Sequence, residues 1–371
     1  MIPFIDIKRR ENSFNNEWLK RVEDISKKSE FLENEDVYKL EENLCKFINV
    51  KYAVTCANGT DALQLALRGC NIGKGDEVII QNNTFWATCE AVFNVGATPI
   101  IVDIETENAS MDIDLLERSV KLYKPQAIII AHIYGWSNKQ LYKVREISKK
   151  FKIPLIEDGA QSFGTIYLEE SIYKNAYISI TSFYPSKVLG AAGNGGCVFT
   201  NNLKLSQRIR KLANHGRLDR YYHDEIGWNS RMDSLQAAYL NISLKYINER
   251  IESRKKIQDF YFNKLDVPQL YSPDNFIDNA YCHISLFKNK KIRAMIIDDL
   301  IRERIGYSII YPKPISSQIA LKKFNIKTIL NKNTENLCNR ILNLPLFPYL
   351  TPKEVDKIVS VVNKSFRKIK N

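Results

Sequence analysis

The segment SFYPSK at residues 182–187 is the centre of this sequence's interpretation. It follows a β-forming run at 176–181 and leads into the glycine-rich stretch 190–196 and a second apolar run at 197–200. The β-branched and aromatic residues of both runs favour strands, so Lys187 is predicted to lie in a loop directly after a strand. Small neighbours let a ligand approach the backbone closely. Such a lysine is a candidate to bond an aldehyde cofactor such as pyridoxal 5′-phosphate, although most lysines of this basic chain are expected to be solvated.

A strand, a turn and a helix upstream predict an anion site. Residues 52–57 are predicted to form a strand, the tetrapeptide NGTD occupies 58–61, and a helix is predicted to begin at Ala62. Free backbone N–H groups and the helix dipole both favour a phosphate at such a helix start. The alternative is a plain helix cap by Thr60 or Asp61.

Asp158 is the second informative residue. It ends a predicted strand at 153–158 and precedes the turn-forming segment GAQSFG at 159–164. Open α/β sheets place ligands at this end of their strands. A carboxylate there can pair with a protonated pyridine nitrogen, and the structural alternative is a helix cap.

Two aromatic residues follow the strand predicted at 77–81. Phe85 or Trp86 could stack on a planar cofactor ring, because both follow a strand end. Alternatively, both belong to the hydrophobic core.

Continuous apolar runs alternate with helical patterns along the first two thirds of the chain, which predicts a parallel sheet covered on both faces. One long helix is predicted at 231–263. Strands are expected at 280–288 and 307–311, and helices at 292–304 and 352–367. We therefore predict a large α/β domain at 1–245 and a small α+β domain at 246–371.

Composition narrows the function classes. The chain has 371 residues, 44% of them hydrophobic and 26% charged, with no run long enough to span a membrane. Residues 1–8 lack the apolar segment of a secretory signal, and the seven scattered cysteines form no CxxC pair. A cytoplasmic protein with reduced thiols and no metal site is expected.

The formal net charge of +12 suits a substrate that bears phosphate. No nucleic-acid-binding motif accompanies it, so neither nucleic acid nor a membrane is expected as a partner.

Five motifs occur in an order that resembles a known family: NGTDAL at 58–63, TFWAT at 84–88, EDGAQSFG at 157–164, SFYPSK at 182–187 and NSRMD at 229–233. Together they resemble the DegT/DnrJ/EryC1/StrS family of pyridoxal-phosphate-dependent sugar aminotransferases. The resemblance implies the aspartate-aminotransferase fold (fold type I), an α/β fold. It has a mostly parallel central sheet with helices on both faces and a small C-terminal α+β domain.

The resemblance also implies residue roles. Lys187 would carry the cofactor as a Schiff base and move the proton, and Asp158 would pair with the pyridine nitrogen. Gln161 would lie near the ring hydroxyl of the cofactor, and Phe85 would stack on its ring. The phosphate would be held by Gly59, Thr60 and Ser182. Asn229 would reach the phosphate from the partner subunit, so a homodimer with shared active sites is implied.

The implied reaction is ping-pong. Glutamate would donate its amino group, pyridoxamine phosphate would be the intermediate, and the acceptor would be a keto-6-deoxysugar linked to dTDP, UDP or GDP. The form Asn229-Ser230-Arg231 favours amination at C3 over C4. Asn194 stands where the family commonly has aspartate, which removes a carboxylate near the lysine loop.

Three alternatives stay open at this point. The acceptor could be a small phosphorylated ketone. The chain could be a pyridoxal-phosphate-dependent sugar dehydratase, although family dehydratases carry histidine where Lys187 stands. A regulator without enzymatic activity is the third, and no DNA-binding helix pair supports it.

Overall fold

An eight-stranded sheet forms the centre of the structure, a computed structural model that describes residues 1–370. The strands are β1 Tyr52–Cys56, β2 Glu77–Gln81, β3 Thr98–Val102, β4 Ala127–Ala131, β5 Leu155–Asp158, β6 Ile166–Tyr167, β7 Glu170–Ser171, β8 Ile178–Ser182, β9 Gly196–Thr200, β10 Phe276–Ile277, β11 His283–Leu286, β12 Thr328–Ile329 and β13 Ile341–Leu344. The helices are α1 Phe14–Lys28, α2 Glu35–Ile48, α3 Gly59–Gly69, α4 Trp86–Asn94, α5 Ile113–Tyr123, α6 Leu141–Phe151, α7 Leu203–Ala213, α8 Ser234–Lys245, α9 Ile247–Lys264, α10 Lys290–Arg302, α11 Asn333–Arg340 and α12 Pro352–Lys370.

The sheet order is β1-β9-β8-β5-β4-β2-β3-β12. All its neighbouring strands are parallel except β9, which pairs antiparallel with both β1 and β8. Parallel strands need crossover helices between them, and those helices cover both faces of the sheet. The predicted mostly parallel α/β fold is therefore confirmed.

Two hydrophobic clusters cover the two faces because side chains alternate along each strand. In β2, Ile79 packs into one cluster with α2, α5, α6 and α8. Its neighbours Val78 and Ile80 pack into the other cluster with α3, α4 and α7. Both clusters leave the carboxyl ends of the parallel strands at one edge, where the loops can build a site.

The C-terminal part builds a third cluster. Helices α9, α10 and α12 pack there around β13, which pairs antiparallel with β11. Ile2 from the N-terminal end joins this cluster and pairs with Ile305. In return, Thr328–Ile329 extends the large sheet beside β3. The domain boundary between 245 and 246 stays a prediction. Each predicted domain contributes a segment to the other, namely Ile2 and Thr328–Ile329.

Two predicted elements are wrong. The single helix expected at 231–263 is split at Tyr246 into α8 and α9. The break redirects the chain: α8 and the start of α9, at Ile247 and Ile251, pack against the first cluster, whereas the later part of α9 packs against the third. The strand expected at 307–311 reduces to one bridge between Ser308 and Asn343, because the chain then turns so that Tyr311 enters a cavity.

No helix within residues 1–370 combines the length and the hydropathy that a membrane crossing requires.

Candidate active site

A cavity of about 790 Å³ opens at the carboxyl ends of β1, β2, β4, β5 and β8. Seven of the eight residues predicted from the sequence line it, namely Gly59, Thr60, Phe85, Asp158, Gln161, Ser182 and Lys187. The C-terminal part contributes Tyr281, Ile310 and Tyr311 to the opposite wall. The fold thus brings together side chains that are remote in the sequence.

One corner of the cavity is a backbone cradle for an anion. The Asn58 side chain caps α3 by accepting the N–H of Asp61 at 2.8 Å, so the predicted alternative caps Thr60 and Asp61 are both wrong. The N–H groups of Gly59 and Thr60 then lie in the first turn, where a helix offers no internal acceptor. A Cβ on Gly59 would lie 2.7 Å from the Cβ of Ser182. Glycine is required there, and the cradle and the serine share one corner.

Asp158 is a buried carboxylate with two hydrogen-bond donors. Its Oδ1 accepts the N–H of Ala160 at 3.1 Å, and its Oδ2 accepts the Thr88 hydroxyl at 3.1 Å. The Thr84 hydroxyl lies 2.9 Å from that of Thr88 and extends this series of hydrogen bonds. Burial raises the pKa of Asp158, and the Ala160 N–H, the charge of Lys187 and the Thr88 hydroxyl oppose that shift only in part. A cationic partner in the cavity would favour the ionised form.

Lys187 reaches into the same cavity from the loop after β8. Its backbone N–H donates to the Tyr184 carbonyl at 2.8 Å, which closes a turn. Its ammonium lies 5.3 Å from the centre of the Tyr281 ring. The predicted loop position after a strand is confirmed, and the amine faces the space that Asp158 also faces.

Gln161 is held in one orientation. Its Oε1 accepts the backbone N–H of Tyr134 at 2.7 Å, and its Nε2 donates to the Tyr311 hydroxyl at 2.7 Å. Because a backbone N–H can only donate, the amide cannot flip. The Tyr311 hydroxyl therefore accepts from Gln161, and its own hydrogen remains available to another acceptor.

The structure separates the two aromatic candidates. Phe85 is 56% exposed and lines the cavity, with its ring 5.8 Å from that of Tyr311. Trp86 begins α4 and packs against the second hydrophobic cluster. Phe85 is thus placed to face a ligand and Trp86 is not.

Asn229 is the predicted residue that the chain does not bring into this cavity. It lines a smaller adjoining cavity of about 440 Å³ together with Asn58 and Asn194, which also line the main one. The next residue, Ser230, donates to Asp61 at 2.6 Å and so fixes the motif beside the start of α3.

A buried ion network lies behind Asp158. Glu157 accepts two hydrogen bonds from Arg145, at 2.8 and 2.9 Å, and its Oε2 lies 2.9 Å from Nε2 of His132. Burial alone would raise the pKa of Glu157, but the charge of Arg145 and the hydrogen bond from His132 outweigh it and hold the pKa at about 2. Since this carboxylate is ionised, Nε2 of His132 donates to it.

Several contacts of the site were missed by the sequence reasoning. Thr88 and Glu157 belong to the motifs quoted above and Tyr311 ends the strand predicted at 307–311, but spacing assigns none of them a partner. His132 directly follows the apolar run that forms β4, and a polar residue at such a strand end is a signal that could have found it. Tyr281 follows no motif, so only the fold reveals it.

Within residues 1–370 no group of three or more His, Cys, Asp or Glu side chains is arranged to hold a metal ion.

Comparison with known proteins agrees with the predicted family. The model of the DegT/DnrJ/EryC1/StrS aminotransferase family matches residues 12–363. UDP-2-acetamido-2-deoxy-3-oxo-D-glucuronate aminotransferase of Pseudomonas aeruginosa is 32% identical over 98% of this chain and 99% of its own. The dTDP-3-amino-3,6-dideoxy-alpha-D-galactopyranose transaminase of Aneurinibacillus thermoaerophilus is 30% identical, again over 98% and 99%.

Solved structures show the same fold. A DegT DnrJ EryC1 StrS aminotransferase from Brucella abortus superposes with a TM-score of 0.92, 30% identity, and coverage of 98% of this chain and 99% of its own. The Bacillus subtilis protein NtdA, crystallised with bound PMP, has a TM-score of 0.90 and 26% identity over 100% of this chain and 85% of its own.

The buried network generates a prediction about pH. Glu157→Gln should lower the free energy of unfolding by about 3–5 kcal/mol at pH 7, since it leaves the Arg145 guanidinium without its carboxylate. The Glu157 pKa of about 2 lies below the ordinary 4.5. The stabilisation is therefore complete above pH 4.5 and lost as the pH falls toward 2, so it should shrink by about 2 kcal/mol between pH 6 and pH 3.

Urea unfolding of wild type and variant at the two pH values measures this difference. Glu252→Gln is the control, because Glu252 is exposed and pairs only with Lys256 on the same helix. A wild-type-to-variant gap that is equal at pH 6 and pH 3 would contradict the assignment.

Proposed function

The chain belongs to the DegT/DnrJ/EryC1/StrS aminotransferase family, and on that premise we propose that it transfers the amino group of glutamate to a keto carbon of a nucleotide-linked keto-6-deoxysugar. The observation that carries the proposal is that the amine of Lys187 and the buried carboxylate of Asp158 line one cavity beside an anion cradle. An amine, an acid and a phosphate site are what a pyridoxal-phosphate enzyme must provide.

The cofactor is pyridoxal 5′-phosphate, and the cavity fits it. The backbone N–H groups of Gly59 and Thr60 and the hydroxyl of Ser182 are donors for its phosphate. Asp158, whose pKa is raised by burial, lacks a strong cationic partner that the protonated ring nitrogen would provide. When bound, the cofactor supplies the electron sink that amino transfer requires.

Lys187 acts as nucleophile and as proton carrier. Its amine would hold the cofactor covalently, and the same amine, once free, would move a proton at the reacting carbon. Gln161 would hold the ring hydroxyl with the second hydrogen of its locked amide, and Phe85 would cover the ring face. Because one cavity serves both half-reactions, glutamate and the sugar bind in turn, which gives ping-pong kinetics.

The phosphate site supports a homodimer. Among the described residues that line the cavity, Lys187 and His132 have the only basic side chains, so little positive charge faces a phosphate dianion. Asn229 lies outside its own cavity, in the smaller one beside Asn58. We assign it to the phosphate of the partner subunit, which makes the dimer with shared sites the catalytic unit.

The proposed acceptor is a keto sugar linked to UDP, dTDP or GDP and aminated at C3. The relatives from Pseudomonas aeruginosa and Aneurinibacillus thermoaerophilus are named for a 3-oxo and a 3-amino sugar nucleotide, and the form Asn229-Ser230-Arg231 points the same way. The proposed compartment is the cytoplasm, which suits seven cysteines that are all free thiols in the structure.

Covalent attachment at Lys187 is the direct test of the proposed function. Borohydride reduction of the purified protein should leave a pyridoxyl mark on Lys187 alone, located by mass spectrometry of its peptides. Lys187→Ala should bind the cofactor without that mark and lose at least about 1,000-fold in turnover, as nucleophile and proton carrier are removed together. A mark on another lysine, or turnover by the variant, would refute the assignment.

Subunit complementation tests the shared site. Lys187→Ala and Asn229→Asp chains, each inactive alone, should regain about a quarter of wild-type activity after random reassortment, because half of the dimers hold one intact site. The matched control mixes Lys187→Ala with Asp158→Asn, two residues of the same cavity, and should regain nothing. If the first mixture recovered no activity, the assignment of Asn229 to the partner's phosphate would be wrong.

The acceptor is tested by competition. With glutamate as donor, a UDP- or dTDP-linked 3-keto sugar should be aminated at a kcat/KM at least about 100-fold above that of the 4-keto isomer or a phosphorylated triose ketone, since only the first acceptor matches both the nucleotide and the keto position. NMR of the product locates the new amine. Preference for the 4-keto sugar would contradict amination at C3. Preference for the triose phosphate would contradict a nucleotide-linked sugar as the substrate.

A further inference from the structure

The ammonium of Lys187 lies against an aromatic face and not against a carboxylate. Its nitrogen is 5.3 Å from the centre of the Tyr281 ring, within the range of a cation–π contact. No hydrogen bond or ion pair of this ammonium occurs among the described residues 1–370. The charge of Lys187 acts on Asp158 through space and partly offsets the rise in the pKa of that carboxyl that burial causes. The Tyr281 ring is thus the direct contact that locates the free amine.

The backbone around Tyr281 is fixed by contacts with the loop that follows Asp158. The buried Asn279 donates from one amide nitrogen to the carbonyls of Gln161 and Phe163, at 3.0 and 2.9 Å. The N–H of Ala280 donates to Asp278 at 2.7 Å and closes the turn before Tyr281. These hydrogen bonds fix the backbone next to Tyr281 relative to the loop that carries Gln161.

The contact uses the ring face of Tyr281. The structure provides no hydrogen bond for the Tyr281 side chain, whereas the Tyr311 hydroxyl is tied to Gln161. A ring without a hydroxyl should therefore serve equally well at position 281. Lys187 belongs to the loop after β8 and Tyr281 to the segment before β11, so the contact joins the two predicted domains.

We propose that Tyr281 is a positioning residue whose ring face holds the Lys187 ammonium whenever that amine is free. The inference rests on the proposed function in one respect, that Lys187 alternates between a bonded and a free amine. The ring attracts the cation and has no comparable attraction for the neutral amine. It therefore keeps the protonated lysine beside the cavity, where its ammonium has a proton to deliver in the transfer step.

A fluorinated phenylalanine series at position 281 tests the contact in the cofactor-free protein. Phenylalanine and its 4-fluoro, 3,5-difluoro and pentafluoro analogues keep nearly the same shape while the negative potential of the ring face falls. Acylation of Lys187 at pH 8, quantified by mass spectrometry, should accelerate stepwise along the series, by about 3- to 30-fold overall, because only the neutral amine reacts. Tyr281→Phe should match wild type.

Lys327 is the internal reference in each sample. Its ammonium lies over Tyr123 at 5.1 Å and pairs with Glu77, far from position 281 in the sequence, and its acylation rate should stay constant. A Lys187 rate that is flat across the series would overturn the proposal. The assay contains neither cofactor nor substrate, so this result is independent of the borohydride test of the proposed function.

Steady-state kinetics supply the second readout. Tyr281→Phe should keep kcat within about 2-fold of wild type, whereas Tyr281→Leu should lower kcat by about 3- to 30-fold with KM nearly unchanged, since the ring positions the proton carrier and not the substrate. Equal losses in the phenylalanine and leucine variants would instead implicate the hydroxyl and contradict the proposal.

Discussion

A carboxylate buried at the end of a parallel strand is the constraint on which the active site depends. Asp158 is 8% exposed, and within residues 1–370 its hydrogen-bond donors are two neutral groups, the Ala160 N–H and the Thr88 hydroxyl. Removing a charge from water is unfavourable unless an opposite charge replaces that hydration. The site therefore favours a cation in the cavity, and a protonated pyridine ring meets that requirement.

The second wall of the site comes from the C-terminal part of the chain, and hydrogen bonds at the edge of the large sheet hold it in place. Asn82, after β2, accepts the N–H groups of Ile315 and Ser316, on its carbonyl and its side chain respectively. Asp103, after β3, accepts the N–H groups of Asn331 and Thr334. These anchors fix the segment that leads on from Tyr311. The cavity lined by Lys187 and Asp158 is thereby closed by the rings of Tyr281 and Tyr311.

The phosphate cradle is built from backbone more than from charge. Gly59 and Thr60 offer N–H groups at the start of α3, and Ser182 approaches so closely that only glycine fits beside it. A helix start binds phosphate through aligned dipoles, which need no lysine or arginine. In the proposed dimer, Asn229 of the partner subunit would add a neutral hydrogen-bond donor to this cradle.

Local sequence determined where the strands end, and with them the positions of Lys187, Asp158 and Gly59, because strand termini and helix starts follow from neighbouring residues. Tertiary packing alone decided that α8 and α9 separate at Tyr246, since the break lets α9 leave the first hydrophobic cluster after Ile251 and reach the third. It also decided that Tyr281 faces Lys187. Such contacts join segments distant in the chain, so their register depends on how the clusters pack and on no local pattern.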